Sequence, residues 1–236
     1  MNQSAAYEGA RRDSLAAPVI PADIAVVFDR LIVSLAGAMP GHHVAVLASG
    51  TPALEEVRRF MRVQQQSRGL HHLHDTPQLE IERWLRIAER CTHCCLYFND
   101  EPVALVRLTP APFECGALHP AFERLTAGLS GHVEFSRLVA SRKGHDVRRV
   151  PLLLAHASRW ARAAGFDGCT AVARAAQSRL YRQFGMQALH PSAVRLQTRG
   201  DQGYWLMQAD WSQVAASAMA LGMQAGLARP MSRVTS

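Results

Sequence analysis

This sequence of 236 residues lacks long apolar runs and aromatic-rich stretches, and its cysteines are not spaced like those of a disulfide framework. The longest apolar runs, such as residues 24–27 and 151–155, fall far short of the roughly 20 residues that a transmembrane helix needs. The first residues lack the apolar core of a signal peptide, and five cysteines, an odd number, do not suggest a disulfide framework. We therefore expect a cytoplasmic protein with free thiols and no membrane span.

Negative charge is scarce relative to positive charge. The formal net charge is +7 and the isoelectric point is near 9.7, which favours an anionic ligand or partner. The arginines are scattered, with no basic tail and no interleaved aromatic platform, so we expect no nucleic-acid partner. A phosphate-bearing cofactor and an acidic protein both remain compatible with the charge.

The length and the 48% hydrophobic content predict one domain over residues 21–236, preceded by a flexible tail at 1–20. Hydrophobic periodicity predicts helices at 21–37, from 52 to a stop near 69, from the loop at 142–146 to a stop at 165, at 176–184 and at 212–227. Predicted strands lie at 43–48, in a hairpin over 90–110, and at 132–141, 168–173, 193–198 and 204–209. This order indicates an α/β (α+β) domain with helices on both faces of a mixed sheet.

The strand at 132–141 contains an unusual charged pair. Simple alternation places Glu134 and Ser136 on one face and Phe135 and Arg137 on the other. Charges are costly to bury unless they are paired, so the pattern indicates either an ion pair at a sheet edge or a functional site.

Five sequence segments carry a resemblance to a known family and occur in the same order as in that family. They are VRLTPAPFE, HPAFERL, EFSRLVASR, RWARAAGFDG and LYRQFGMQ. Over about residues 57–209 the sequence resembles the N-acyl amino acid synthases and, less closely, the acyl-homoserine lactone synthases. The resemblance implies a GNAT-type acyltransferase fold, with a central mixed, mostly antiparallel twisted sheet and helices on both faces.

The same resemblance implies an N-acyltransferase that moves a medium or long acyl group to the amino group of an amino acid or small amine. No tightly bound cofactor is implied, because the donor substrate is an acyl-phosphopantetheine thioester on acyl carrier protein or coenzyme A. A lactone-forming signal synthase and an acetyl-CoA-dependent N-acetyltransferase are alternatives. A non-catalytic acyl-thioester-binding regulator is an alternative of a different class.

By resemblance, Glu134 is the base for the attacking amine and Arg137 orients donor or acceptor. Backbone amides around Leu138 and Val139 would bind the thioester carbonyl, and Tyr181 would protonate the leaving thiolate or pack against the pantetheine. A carboxylate is a poor base for an ammonium group unless burial raises its pKa, so Glu134 must be partly desolvated.

The resemblance also implies residues that bind the two substrates. On the donor side these are Arg107, Arg142, Gly144, Arg148 and Arg149. On the acceptor side they are Arg58, Phe60 and Asp75. Arginine stands near where a second small residue is usual in the donor loop, which favours acyl carrier protein over acetyl-CoA, and Gln65 and Gln66 replace expected aspartates, which argues against lactone synthesis.

Two clusters have residues that bind metals in other proteins. They are His71, His72, His74 and Asp75, and Cys91, His93, Cys94 and Cys95. Each lacks the second half of a structural zinc site, so we expect no metal. The terminal helices at 21–37 and 212–227 would either cover an acyl tunnel or form a homodimer contact.

Overall fold

A computed structural model describes four segments of the chain: residues 24–67, 86–142, 146–196 and 202–227, the last six of them as backbone only. The predicted tail, Asp75 and Gly144 lie outside these segments. Within them, no helix combines the length and the apolarity that a bilayer crossing requires.

Seven helices and eight strands have bounds that lie within the described residues. The helices are α1 (Ile24–Gly37), α2 (Ala53–Gln66), α3 (Glu114–Leu118), α4 (Pro120–Thr126), α5 (Arg149–Ala163), α6 (Ala175–Gln183) and α7 (Trp211–Leu227). The strands are β1 (His42–Leu47), β2 (Thr92–Phe98), β3 (Glu101–Pro110), β4 (His132–Ala140), β5 (Gly168–Arg174), β6 (Gln187–Ala188), β7 (Val194–Leu196) and β8 (Gln202–Asp210).

All eight strands form one sheet in the order β1-β2-β3-β4-β5-β8-β6, with β7 also paired to β8. Every neighbouring pair is antiparallel except β4 and β5, which are parallel. The predicted mixed, mostly antiparallel sheet is confirmed.

Turn residues fix the central hairpin. Asn99 and Asp100 join β2 to β3 with φ values of 48° and 64°, and Phe98 pairs directly with Glu101. A two-residue turn with two positive φ values matches the twist of the strands it connects, and Asn and Asp tolerate this conformation better than most residues. The hairpin therefore sets the register of β2 against β3, which places His93 opposite Arg107.

Helices cover both faces of the sheet. On one face, α5 contributes three consecutive buried leucines, Leu152, Leu153 and Leu154, because it lies between the sheet and α1. On the other face, α2 covers a small apolar cluster around Leu105, and α3 and α4 cover a second one around Phe122. Burying one such side chain contributes roughly 1.5–3 kcal/mol. The polar residues Arg107, Glu114, Glu134 and Arg137, described next, lie on this second face.

Candidate active site

The strands β4 and β5 separate in the middle of the sheet. They pair over only three positions, from His132 with Gly168 to Glu134 with Thr170. Beyond the last pair, β4 continues to Ala140 and β5 to Arg174 without further pairing between them in the described residues. Separated strands present backbone N–H groups to the gap, where a ligand carbonyl can accept from them.

A β-bulge at Arg137 lies on the edge of this gap. Arg137 has a φ of +55°, and the register against β3 shifts so that two residues of β4 lie opposite Val106. A bulge inserts one extra residue and reverses the alternation that follows. Arg137 therefore reaches Glu114, on the same face as Glu134, while Leu138 packs in the core on the α5 face. The simple alternation predicted for this strand is wrong at Arg137 for this reason.

Glu114 binds both arginines of the site. Its carboxylate accepts hydrogen bonds from Arg107 Nη2 and, at 2.8 Å, from Arg137 Nε. The three side chains are almost inaccessible, at 6%, 13% and 4% exposure for Arg107, Arg137 and Glu114. Burial lowers the pKa of each arginine to about 10, so both remain charged at neutral pH. Arg107 Nε also donates to Ser136 Oγ at 3.3 Å.

Glu134 is a second buried carboxylate beside this group, and its residue is 2% exposed. It accepts a hydrogen bond from the Cys115 backbone N–H at 3.1 Å, and no ion pair to it occurs among the described residues. Desolvation by burial raises its pKa to about 7, although Cys115, Arg107 and Arg137 act in the opposite direction. The partial desolvation that a base role requires is therefore present.

His93 lies beside Arg107 on the neighbouring strand β2. Burial, followed by the positive charges of Arg107, Arg58 and Arg137, lowers its pKa to about 4, so it is neutral at physiological pH. Its buried Nδ1 has no hydrogen-bond partner among the described residues. The three arginines are therefore near enough to His93 for their charges to act on its imidazole.

Tyr181, on α6, is 3% exposed and lies close enough to Glu134 for the carboxylate to raise its pKa, though burial is the larger cause. It lines a small cavity together with Phe135 on β4, Cys169 on β5 and Leu154 on α5. The cavity lies on the α5 face of the sheet, because these lining residues belong to the core cluster on that face. A neutral phenol at this position retains a proton to donate.

The segment before α5 holds the residues predicted for the donor. Arg148 is bound to Asp146, donating from Nε at 2.9 Å and Nη2 at 2.8 Å, so a phosphate would have to compete with Asp146. Arg149 is buried, at 6% exposure, and Arg142 is exposed. In the described part of this segment, Arg142 and Arg148 are therefore exposed, whereas Arg149 is buried.

The remaining predicted residues are dispersed. On α2, Arg58 forms a long ion pair of 3.9 Å with Glu55, and Phe60 packs against the small cluster beneath that helix. Cys94 and Cys95 face opposite sides of the sheet, so the two thiols do not converge on one site. No metal-binding group of three or more His, Cys, Asp or Glu residues occurs in the segments described.

Glu114, Cys115 and His93 were not predicted as members of this site from sequence. One signal was available, because Arg107 lies in an apolar strand and a buried arginine needs a carboxylate partner. Glu114 is the only acidic residue between Glu101 and Glu123. The backbone contact from Cys115 to Glu134 left no signal, since any residue supplies an amide.

No family model and no curated protein matches the sequence. Solved structures do share its fold. FeeM, an N-acyl amino acid synthase from uncultured soil microbes, superposes with a TM-score of 0.58 at 10% identity, covering 75% of this chain and 94% of its own. The AHL synthase LasI gives 0.56 at 10% identity, with coverages of 74% and 94%. BjaI, a CoA-dependent acyl-homoserine lactone synthase with SAM and isopentyl-CoA, gives 0.53 at 14%, with 79% and 90%. The chain has the fold of GNAT-type acyltransferases, as predicted.

Proposed function

We propose that this protein is an N-acyltransferase that moves an acyl group from a phosphopantetheine thioester to the amino group of an amino acid or similar small amine. The observation that carries the proposal is the position of Glu134. Its carboxylate is buried where β4 and β5 separate, and burial raises its pKa to about 7. The fold shared with FeeM, LasI and BjaI supports the reaction class.

Amide formation from a thioester requires a neutral amine, because an ammonium group has no free electron pair. Glu134, directly or through a water molecule, accepts the proton as the amine attacks the thioester carbon. With a pKa of about 7 it is a far better base than an exposed glutamate and still partly ionised at neutral pH. The C–S bond then breaks and the thiolate leaves. Tyr181, whose pKa is raised by burial, keeps its own proton and can donate a hydrogen bond to the thiolate, while the proton held by Glu134 passes to the thiolate or to solvent and restores the base.

The developing oxyanion requires donors that are already in place. The gap beyond Glu134 and the bulge at Arg137 support this role for the backbone amides around Leu138 and Val139. Arg107 and Arg137 add positive charge to the same face. In this proposal the thioester carbonyl lies in the gap, near the small cavity that Phe135 and Tyr181 line.

The donor is an acyl thioester of acyl carrier protein in this proposal, with acyl-CoA as the alternative. The net charge of +7 and the arginines at the start of α5 suit an acidic carrier protein, and they suit coenzyme A phosphates as well. Comparing the rate of thiol release from matched acyl chains on the two carriers distinguishes the donors. A preference for the carrier protein of less than about tenfold in kcat/KM, equal to about 1.4 kcal/mol, would contradict this assignment.

The same assay separates the classes of function. With a pool of amino acids and a long-chain donor, an N-acyl amino acid should be detected by mass. Exclusive turnover of acetyl-CoA would make the protein an N-acetyltransferase. Binding of either donor without thiol release, with any amine, would instead identify a non-catalytic acyl-thioester-binding protein.

The pH dependence of kcat should report the ionisation of the Glu134 carboxyl group. Because the deprotonated carboxylate is the active form and its pKa is raised to about 7, kcat is expected to rise with pH and reach half its maximum near pH 7. An ordinary glutamate would give a midpoint near 4.3. A profile that is flat between pH 5.5 and 8.5 would remove Glu134 from the rate-determining proton transfer.

A further inference from the structure

The site holds two buried carboxylates and two buried guanidinium groups, but both guanidinium groups contact the same carboxylate. Glu114 accepts from Arg107 through one oxygen and from Arg137 through the other. Glu134 is in no ion pair among the described residues, and its one backbone hydrogen bond comes from Cys115. Both arginines thus contact the same carboxylate, and no cationic side chain in the described segments contacts the other one.

This division matters for the chemistry. A guanidinium group in direct contact lowers the pKa of a carboxylate by roughly 1–3 units. Had Arg107 or Arg137 turned to Glu134, its carboxylate would hold no proton near neutral pH and would be a weak base. Both arginines do act on Glu134 electrostatically, so they are within range.

We propose that Glu114 is a positioning residue that keeps Glu134 an effective base, because it holds the guanidinium groups of Arg107 and Arg137 away from the Glu134 carboxylate. The inference rests on the proposed function, in which Glu134 accepts the amine proton. Glu114 touches no reacting atom in this account and acts only through the two arginines.

The next residue in the chain has the opposite effect. Cys115 donates its backbone N–H to Glu134 Oε2 at 3.1 Å, and its buried thiol is close enough to lower the pKa of the same carboxyl group. Hydrogen bonds to a carboxylate favour its charged form. Removing the thiol should therefore make Glu134 harder to ionise, whereas removing the Glu114 charge should make it easier.

The charged and titratable groups near Glu134, or bonded to those groups, come from four elements. They are Arg107 on β3, Arg137 on β4, Glu114 and Cys115 on α3, and Tyr181 on α6. Tyr181 stays neutral because burial raises its pKa, so it does not titrate with Glu134. The midpoint of the pH profile accordingly reflects the balance between the arginines, Glu114 and Cys115.

The test is the kcat–pH profile of the full chain and two variants at saturating donor and acceptor. Glu114→Gln keeps the shape but loses the charge, so the midpoint should move down by about one pH unit or more. Cys115→Ala keeps the backbone N–H but loses the thiol, so the midpoint should move up. The profile is measured with two acceptors whose amines differ in pKa. A midpoint that moves between the two acceptors belongs to the amine, whereas the midpoint due to Glu134 stays the same.

The outcomes are separable. No amide product from the wild-type chain would overturn the proposed function itself. An active wild type whose midpoint is unchanged or raised in Glu114→Gln would overturn the role of Glu114 alone. If Glu114→Gln does not fold, Glu114→Asp retains the charge but has a shorter reach, and it should shift the midpoint in the same direction by a smaller amount. A general structural defect would lower kcat without moving the two midpoints in opposite directions.

Discussion

Replacing Glu134 by glutamine is expected to lower kcat by a factor of about 10² to 10⁴ at pH 8, which is the usual contribution of a general base. Glutamine has nearly the same shape and still accepts the backbone hydrogen bond from Cys115. It has no basic site for the amine proton. The measurement is single-turnover formation of the amide product at saturating donor and acceptor.

Stability should not fall with this substitution. Because burial raises the pKa of Glu134 above its unfolded value, the ionised carboxylate costs stability as pH rises through about 7, and a neutral amide removes that cost. Glu123→Gln, on the exposed face of α4, is the matched control and should retain kcat within about twofold. Full turnover by Glu134→Gln, with normal stability, would show that another group is the base.

Arg107→Met is expected to cost about 3 kcal/mol of unfolding free energy. Arg107 is 5% exposed and bonds to Glu114 and Ser136, so its loss leaves a buried carboxylate with one cation fewer. Methionine fills similar volume, which limits any cavity term. Equilibrium unfolding in urea, monitored by two independent spectroscopic signals, measures this change in the free energy of unfolding.

Arg62→Met provides the comparison for this prediction. Arg62 also donates to a glutamate, Glu55, at 3.1 Å, but its side chain is 55% exposed. An exposed pair of this kind contributes less than about 1 kcal/mol because water screens it. Equal losses for the two variants would show that the Arg107 and Glu114 pair is solvated in solution, and it would weaken the picture of a buried site.

Much of the fold follows from local patterns. The periods of apolar residues predicted the helices, and the turn at Asn99 and Asp100 predicted the hairpin, because both depend on neighbours in sequence. The glycines that end α5 and α6 were predicted as well, and both have positive φ values of 90° and 80°. The short α3 was not predicted, since five residues give too little periodicity to detect.

The site was harder to predict because it depends on residues distant in sequence. Arg107 and Arg137 meet only through Glu114, and Glu134 is defined by a backbone amide that arrives from α3. The bulge at Arg137 breaks the alternation on which a sequence argument relies, and its cause is pairing with β3 rather than the local sequence. The family motifs, in contrast, placed Glu134, Arg137 and Arg107 in the predicted site because these residues lie within the quoted segments.

The central claim is that an amine attacks a bound thioester here, and one measurement tests it most directly. Purified protein is mixed with a long-chain acyl thioester and an amino acid pool, and free thiol and acylated product are quantified together by mass. The account predicts one N-acyl product for each thiol released, with release dependent on the amine. Thiol release that continues without amine and yields only free fatty acid would contradict it.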